Sequence, residues 1–142
     1  MKGFSLVESL VVISIITIVV GVFAFVNSTA KSQAVLDKAQ TSLISALQEA
    51  RNRSASGFGD PGYRYGVSVE QNRIVPFRVD ENGDRYYEVP TDFPMSISID
   101  QDATIIFDRL NAVSEEDFSI FLRHSSGLEK TITITKDGRI NY

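Results

Sequence analysis

The hydrophobic rhythm of the chain changes twice. From Phe4 to Val26 the only charged residue is Glu8, and Leu10–Val26 (LVVISIITIVVGVFAFV) holds neither charge nor proline. About 20 helical residues cross a bilayer core, so this stretch is long enough to span one. A soluble core helix would be apolar along one stripe, not all round. Beyond Asn27 the pattern turns amphipathic. Leu36, Ala39, Leu43, Leu47 and Ala50 recur at spacings of three and four, which is one face of a helix. Ala46 widens that stripe, while Lys31, Asp37, Lys38 and Gln48 lie mostly elsewhere. Between Asn27 and Gly57 there is neither glycine nor proline. The pattern predicts one helix from about Phe4 to about Arg53, with Arg51 and Arg53 in a last turn where the helix dipole favours cations.

Ser54–Gly62 closes the helix, and from Tyr63 onward the period is two. Tyr65, Val67 and Val69 alternate with small residues. Val75, Phe77 and Val79 follow, with Pro76 pointing to an edge or irregular strand. Tyr86–Val89 is a weaker segment; Met95, Ile97 and Ile99 alternate with serines, and Thr104–Phe107 is a short apolar run. Phe118, Ile120 and Leu122, then Ile132 and Ile134, then Ile140 and Tyr142 complete the set. Asp137-Gly138 reads as a two-residue hairpin turn. The expected fold class is α+β: a long N-terminal α-helix, its first half transmembrane, packed through its second half on a small antiparallel β-sheet domain. That domain has fewer than about 90 residues, so its cover by the helix stripe matters to its stability.

Composition removes several chemistries. The chain has 142 residues, room for one domain with an extension. It carries no cysteine, which excludes disulfides, zinc–thiolate sites, iron–sulfur clusters and a cysteine nucleophile. His124 is the only histidine, so a two-histidine metal site is also excluded. A net charge of −4 gives no basic footprint for nucleic acid. The arginines of the β part are interleaved with acids; the local patch to inspect is Arg123 with Lys136 and Arg139.

The apolar stretch admits two membrane readings. In one it is a secretory signal peptide, with Lys2 as its charged start and cleavage after Ala30, which leaves a secreted or membrane-tethered β-domain binding module. Glu8 speaks against it. An acid at the mouth of an apolar span is costly and persists where it has a function and a partner.

The run Gly3-Phe4-Ser5-Leu6-Val7-Glu8, continuing through Leu10-Val11-Val12-Ile13, resembles the type III signal of type IV pilins and pseudopilins. The resemblance implies that a prepilin peptidase cuts between Gly3 and Phe4, that Phe4 is then N-methylated, and that the apolar helix stays on the protein. Such a cut would create an amino group on Phe4 with an ordinary pKa of about 7.7–8. Glu8 lies about 6 Å further along the helix axis. A neighbouring subunit shifted along a filament could offer its Phe4 ammonium to this carboxylate, and a buried pair of that kind fixes register. An intrachain contact between Phe4 and Glu8 is the alternative.

The implied organisation is a leader at 1–3, a transmembrane and filament-core helix at 4–26, an amphipathic half-helix at 27–56 and a β-rich domain at 57–142. The implied location is the cytoplasmic (inner) membrane, single-pass with a cytoplasmic N-terminus, and then a pilus or pseudopilus. The implied partners are the prepilin peptidase, the inner-membrane assembly platform and other pilin subunits. Two positions depart from the family. Ser9 stands where a leucine is usual, and the proline that kinks many pilin helices is absent, with Phe25 in that region. Phe107-Asp108-Arg109-Leu110, Phe118-Ser119-Ile120-Phe121-Leu122, Thr131–Thr135 and Asp137-Gly138-Arg139-Ile140 further resemble the H-type pseudopilins of type II secretion and related minor pilins. A glycine common there is replaced by Asn111-Ala112.

Little else suggests chemistry. Gly57-Phe58-Gly59-Asp60-Pro61-Gly62 matches GxGxxG in letters, but it follows a helix and leads into a strand, the reverse of a dinucleotide site. Asp80, Asn82 and Asp84 form a weak calcium candidate that lacks an EF-hand's length and closing glutamate; a solvated turn is the alternative. Ser114-Glu115-Glu116-Asp117 reads as a turn before a strand. His124 beside Ser125 makes no triad, and no serine has a nucleophile-elbow context. The expectation is a structural protein rather than an enzyme, with no cofactor.

Overall fold

The computed structural model describes residues 5–56, 62–109, 114 and 116–142. One helix, α1 (Leu6–Ser56), is followed by nine strands. These are β1 (Arg64–Glu70), β2 (Arg73–Val79), β3 (Arg85–Tyr87), β4 (Thr91–Asp92), β5 (Ile97–Ile99), β6 (Ala103–Phe107), β7 (Phe118–His124), β8 (Glu129–Ile134) and β9 (Ile140–Asn141). The fold is α+β, a long N-terminal helix packed on antiparallel strands.

The strands form two sheets, not the one expected. The first runs β3-β2-β1-β6 with β4 also on β2; the second runs β5-β7-β8-β9. The C-terminal half of α1 covers both. Leu36, Ala39, Leu43, Leu47 and Ala50, the stripe expected from spacing, are all buried. They pack in one core with Val67, Val69 and Ile105 of the first sheet and Ile120, Leu122, Ile132 and Ile134 of the second. Leu43 and Leu47 are fully buried, and truncating either to alanine costs about 2–5 kcal/mol.

Register explains a surprise in the first sheet. Tyr65, Val67 and Val69 of β1 pair with Arg78, Pro76 and Ile74, while Gly66 pairs with Phe77 and Ser68 with Val75. Directly paired residues share a face. Phe77, Val75 and Val79 therefore turn away from the common core, although all three are buried. The Phe77 ring lies over Gly66, with Tyr87 tilted against it at 5.8 Å and the Arg85 guanidinium over it at 5.3 Å. Pro76 sits where β3 and β4 leave a gap beside β2. Its carbonyl accepts the Glu88 N–H at 2.8 Å, so its own nitrogen faces the same gap and no ladder bond is lost.

Three hairpin loops share one geometry. Asp80–Asp84, His124–Leu128 and Thr135–Arg139 each close with two backbone bonds around three loop residues, the last a glycine. Gly83, Gly127 and Gly138 have φ of 92°, 87° and 75°, the left-handed region this loop requires. The expected two-residue Asp137-Gly138 turn is thus a three-residue loop. Met95 also departs from expectation. It alternates with Ile97 and Ile99 in sequence but is fully exposed, because a turn that bonds the Ile97 N–H to the Pro94 carbonyl precedes β5.

Candidate functional site

The most unusual surface is the N-terminal half of α1. Every residue from Leu6 to Val26 is exposed, over about 30 Å of helix. The most apolar 18-residue window has a mean hydropathy of 2.9, and none of it is buried. Among the described residues this is the one helix long and apolar enough to cross a membrane; a signal sequence would meet the same criterion. Its polar side chains are partly hidden within the helix. The Ser14 hydroxyl donates to the Leu10 carbonyl at 2.8 Å and the Thr17 hydroxyl to the Ile13 carbonyl at 2.9 Å. Glu8 has no such outlet. It sits in the first turn, where the helix dipole favours an acid, and its carboxylate has no partner among the described residues. Gly3 and Phe4, the expected processing site, lie outside the described residues.

Where α1 meets the β domain, a polar latch fixes it. The Lys130 ammonium on β8 donates to Gln40 Oε1 at 2.7 Å and pairs with Asp37 at 2.5 Å. Gln40 is buried. At the far end of the helix the buried Ser54 hydroxyl accepts the Tyr65 N–H at 3.1 Å, tying α1 to β1. Neither residue was singled out by spacing. Arg53 bonds Glu88 at 2.8 Å and Glu49 at 2.5 Å and lies 5.7 Å from the Tyr65 ring. Burial works against its charge, but the Glu88 and Glu49 carboxylates outweigh burial and raise its pKa above the ordinary value.

The remaining candidates resolve into loop construction. Asp80 Oδ1 accepts the N–H groups of Asn82 and Asp84, each at 2.9 Å, and so braces its own hairpin. Among the described residues no three metal-ligating side chains gather. The same carboxylate is the leading cause of a raised Tyr86 pKa. His124 occupies the equivalent first position of its loop and is buried rather than on the surface. Its Nδ1 accepts the Ser126 N–H at 3.0 Å, which places the proton of a neutral ring on Nε2. Asp117 accepts the Lys136 N–H at 2.5 Å and Ser114 donates its N–H to the Lys136 carbonyl, so Ser114 and Asp117 brace the last hairpin.

The basic patch does not assemble. Arg123 lies at one end of the β7–β8 pair, opposite Glu129, and bonds Glu129 at 2.6 Å. Lys136 and Arg139 lie past the other end, beyond the Phe118–Ile134 pair, about 17 Å along the strands.

No family model, curated protein or solved structure matches the chain.

Proposed function

We propose that the chain is a structural subunit of the type IV pilin and pseudopilin kind. It is processed between Gly3 and Phe4, N-methylated on Phe4 and held in the cytoplasmic membrane by residues 4–26, with its N-terminus cytoplasmic and its β domain on the other side. From there it assembles as a minor pilin or pseudopilin, through helix packing, into a type IV pilus or a type II secretion pseudopilus. Glu8 takes the Phe4 ammonium of a neighbouring subunit and sets register. The prepilin peptidase, the assembly platform and other pilin subunits are its partners; the role is not enzymatic and uses no cofactor.

One observation carries the reading. A helix apolar on every side, with one carboxylate in its first turn that has no partner among the described residues, runs unbroken into the helix that anchors the β domain. An ordinary signal peptide needs no acid at that position. Cleavage after Ala30 would fall in mid-helix and sever the anchor from its domain. Mass spectrometry of the mature protein tests this. The expected terminus is N-methylated Phe4; a chain beginning at Lys31 would instead be the secreted β-domain module.

A further inference from the structure

One end of the β domain faces back toward the apolar half of α1. Lys130 of β8 is tied to Asp37 and Gln40 of α1. The far end of β8 leads to Asp137, which feels the Arg51 charge, so β8 runs alongside the helix. In the other direction Leu128 lies about 7 Å closer to the apolar half, and the His124–Leu128 loop closes beyond it. The Ser125 N–H bonds the Ser96 carbonyl at 2.8 Å, so the Pro94–Ser96 turn stands at the same end. Loop and turn form a rim at about the level of residues 32–34, roughly 10 Å past Val26 along the helix.

One side chain on that rim is unlike its neighbours. Met95 is fully exposed, between Pro94 and Ser96. The other exposed large apolar side chains among the described residues of the β domain lie elsewhere. Tyr86, Tyr87 and Val89 follow the β3 edge, Phe121 is within β7 and Tyr142 follows β9. Pro94 and Phe93 face Val35, Lys38 and Ala39 across a depression, which puts the turn on the Lys38 side of the helix. Lys31 precedes Lys38 by seven residues, two turns, and shares its face. The charges on this side cancel. Lys31 and Lys38 have no ion partner among the described residues, and neither do Asp92 and Asp102. Glu70 pairs with Arg73 at 2.5 Å, and Asp92 stands across the strand pair from Arg73. On the hairpin side Arg123 pairs with Glu129 and Asp100.

We infer that, before assembly, the β domain leans on the bilayer that holds residues 4–26 and seats the Pro94-Met95-Ser96 turn among the headgroups of the leaflet on its own side. The inference rests on the membrane-held subunit proposed above. Height brings the two surfaces together. The headgroup layer extends about 5–7 Å beyond the hydrocarbon core on each side. A rim about 10 Å past Val26 therefore stands about 4 Å above it. A tilt of about 20°, average for a spanning helix, lowers a point about 10 Å off the axis by about 3–4 Å. The gap then closes on the side toward which the helix leans. Met95 decides that side. An unbranched apolar side chain at the tip of a turn gains by leaving water, whereas Ser125-Ser126-Gly127 has no apolar side chain to bury. Lys31, about 7.5 Å past Val26, reaches the edge of the headgroup layer, with its stem along the helix and its ammonium among the polar groups. Asp92 and Asp102 balance the two lysines, so the contact needs no anionic lipid and changes little with salt.

The chain has no cysteine of its own, so single engineered thiols report cleanly. Full-length Met95→Cys, labelled with an environment-sensitive fluorophore, is reconstituted at high dilution into phosphatidylcholine vesicles. A share of the lipid carries a nitroxide just below the headgroup, which quenches only probes that reach it. Met95 is fully exposed, so its replacement leaves the melting temperature unchanged. Asn82→Cys, in the loop at the opposite end of the domain, and Ser126→Cys, on the same rim, are the references. The expected result is quenching of the Met95→Cys probe at least threefold greater than of either reference, equal at low and high salt. Duplicating residues 27–33 adds two turns to α1 and lifts the rim by about 10 Å almost without turning it. It should bring the Met95→Cys probe down to the Asn82→Cys level. Quenching at Met95→Cys no greater than at Asn82→Cys, equal quenching at Ser126→Cys, or quenching that survives the duplication overturns the contact. If any of these occurs while the mature chain begins at N-methylated Phe4, only the contact falls; a terminus at Lys31 removes the membrane-held subunit as well.

Discussion

Gly66→Ala is the sharpest single test of the β domain. Gly66 stands in the middle of β1, between β2 and β6. A Cβ there would lie 2.5 Å from the Ile105 carbonyl oxygen and 2.7 Å from Cζ of Phe77. Carbon atoms pack comfortably at about 3.5–4.0 Å, so both neighbours must move. The Phe77 ring can tilt only against Tyr87 and Arg85. The Ile105 oxygen belongs to the β1–β6 ladder and cannot retreat without opening it. Overpacking of a well-filled site costs about 1–3 kcal/mol, and alanine recovers about 0.5–1 kcal/mol of backbone entropy that glycine loses in a strand. With a backbone contact involved, a net loss of about 2 kcal/mol is expected. For a domain of this size that lowers the melting temperature by about 10 °C. The assay is urea unfolding of the full chain in mild detergent, followed by tyrosine fluorescence because the chain has no tryptophan. Phe77→Leu in the Gly66→Ala background should recover part of the loss, since it relieves the ring contact and leaves the carbonyl contact. A Gly66→Ala protein within 0.5 kcal/mol of the parent would refute the packing argument.

Glu8→Val should leave membrane insertion and Phe4 processing intact and reduce incorporation into sheared filaments at least tenfold, read by immunoblot of filament against membrane fractions; incorporation at the parental level would refute the register role. Lys130→Met leaves the buried Gln40 Oε1 unpaired and removes the Asp37 pair. It should cost about 1 kcal/mol and lower amide-exchange protection around residues 35–41, with the β1–β2 hairpin unchanged. Asp137 has its pKa lowered, chiefly by the Thr135 hydroxyl. Its contribution to stability is therefore complete above the ordinary carboxylate value of about 3.9 and is lost as pH falls through its lower folded value. Thr135→Val should raise that folded value toward the ordinary one, so less stability is lost on acidification and the loss ends at a higher pH in urea melts run between pH 5 and pH 2.

The helix was legible because its signal is local and periodic. Leu36, Leu43 and Leu47 repeat at helical spacing whatever they pack against, and all three are buried. Gln40 and Ser54 share that face but look like ordinary polar residues in sequence. Their burial depends on Lys130, ninety positions away, and on Tyr65. The strands were legible as apolar alternations, their assembly less so. Alternation assigns a face to each residue within one strand, and only register decides whether two strands aim those faces the same way. Hence Val67 and Phe77, both apolar in alternating runs, lie on opposite sides of the first sheet. Glu8 stood out because a lone charge in an apolar run is conspicuous.

The energetics of an all-round apolar helix bear on why Glu8 and the helix faces should matter. Lipid tails are as apolar as valine and isoleucine side chains, so moving residues 6–26 from a bilayer into a bundle of like helices gains little from the hydrophobic effect. Association must then come from terms that distinguish a partner helix from lipid. Close packing against small residues is one, and the pairing of a carboxylate with a cation is the other. The first is roughly indifferent to a slide of one helical turn, because valines and isoleucines repeat along the whole stretch. The second is not, because Glu8 is the only charge between Leu6 and Val26. On the proposed reading the two terms divide the work: the apolar faces supply most of the contact, and Glu8, paired with the Phe4 ammonium of a neighbour, selects one register among several that pack nearly as well. Glu8→Gln separates them more finely than Glu8→Val. It keeps the size and polarity of the side chain but removes the charge, so copies should still associate in the membrane while incorporation into sheared filaments falls at least tenfold. A Glu8→Gln protein that incorporates at the parental level would show that packing fixes the register and that the charge has some other role.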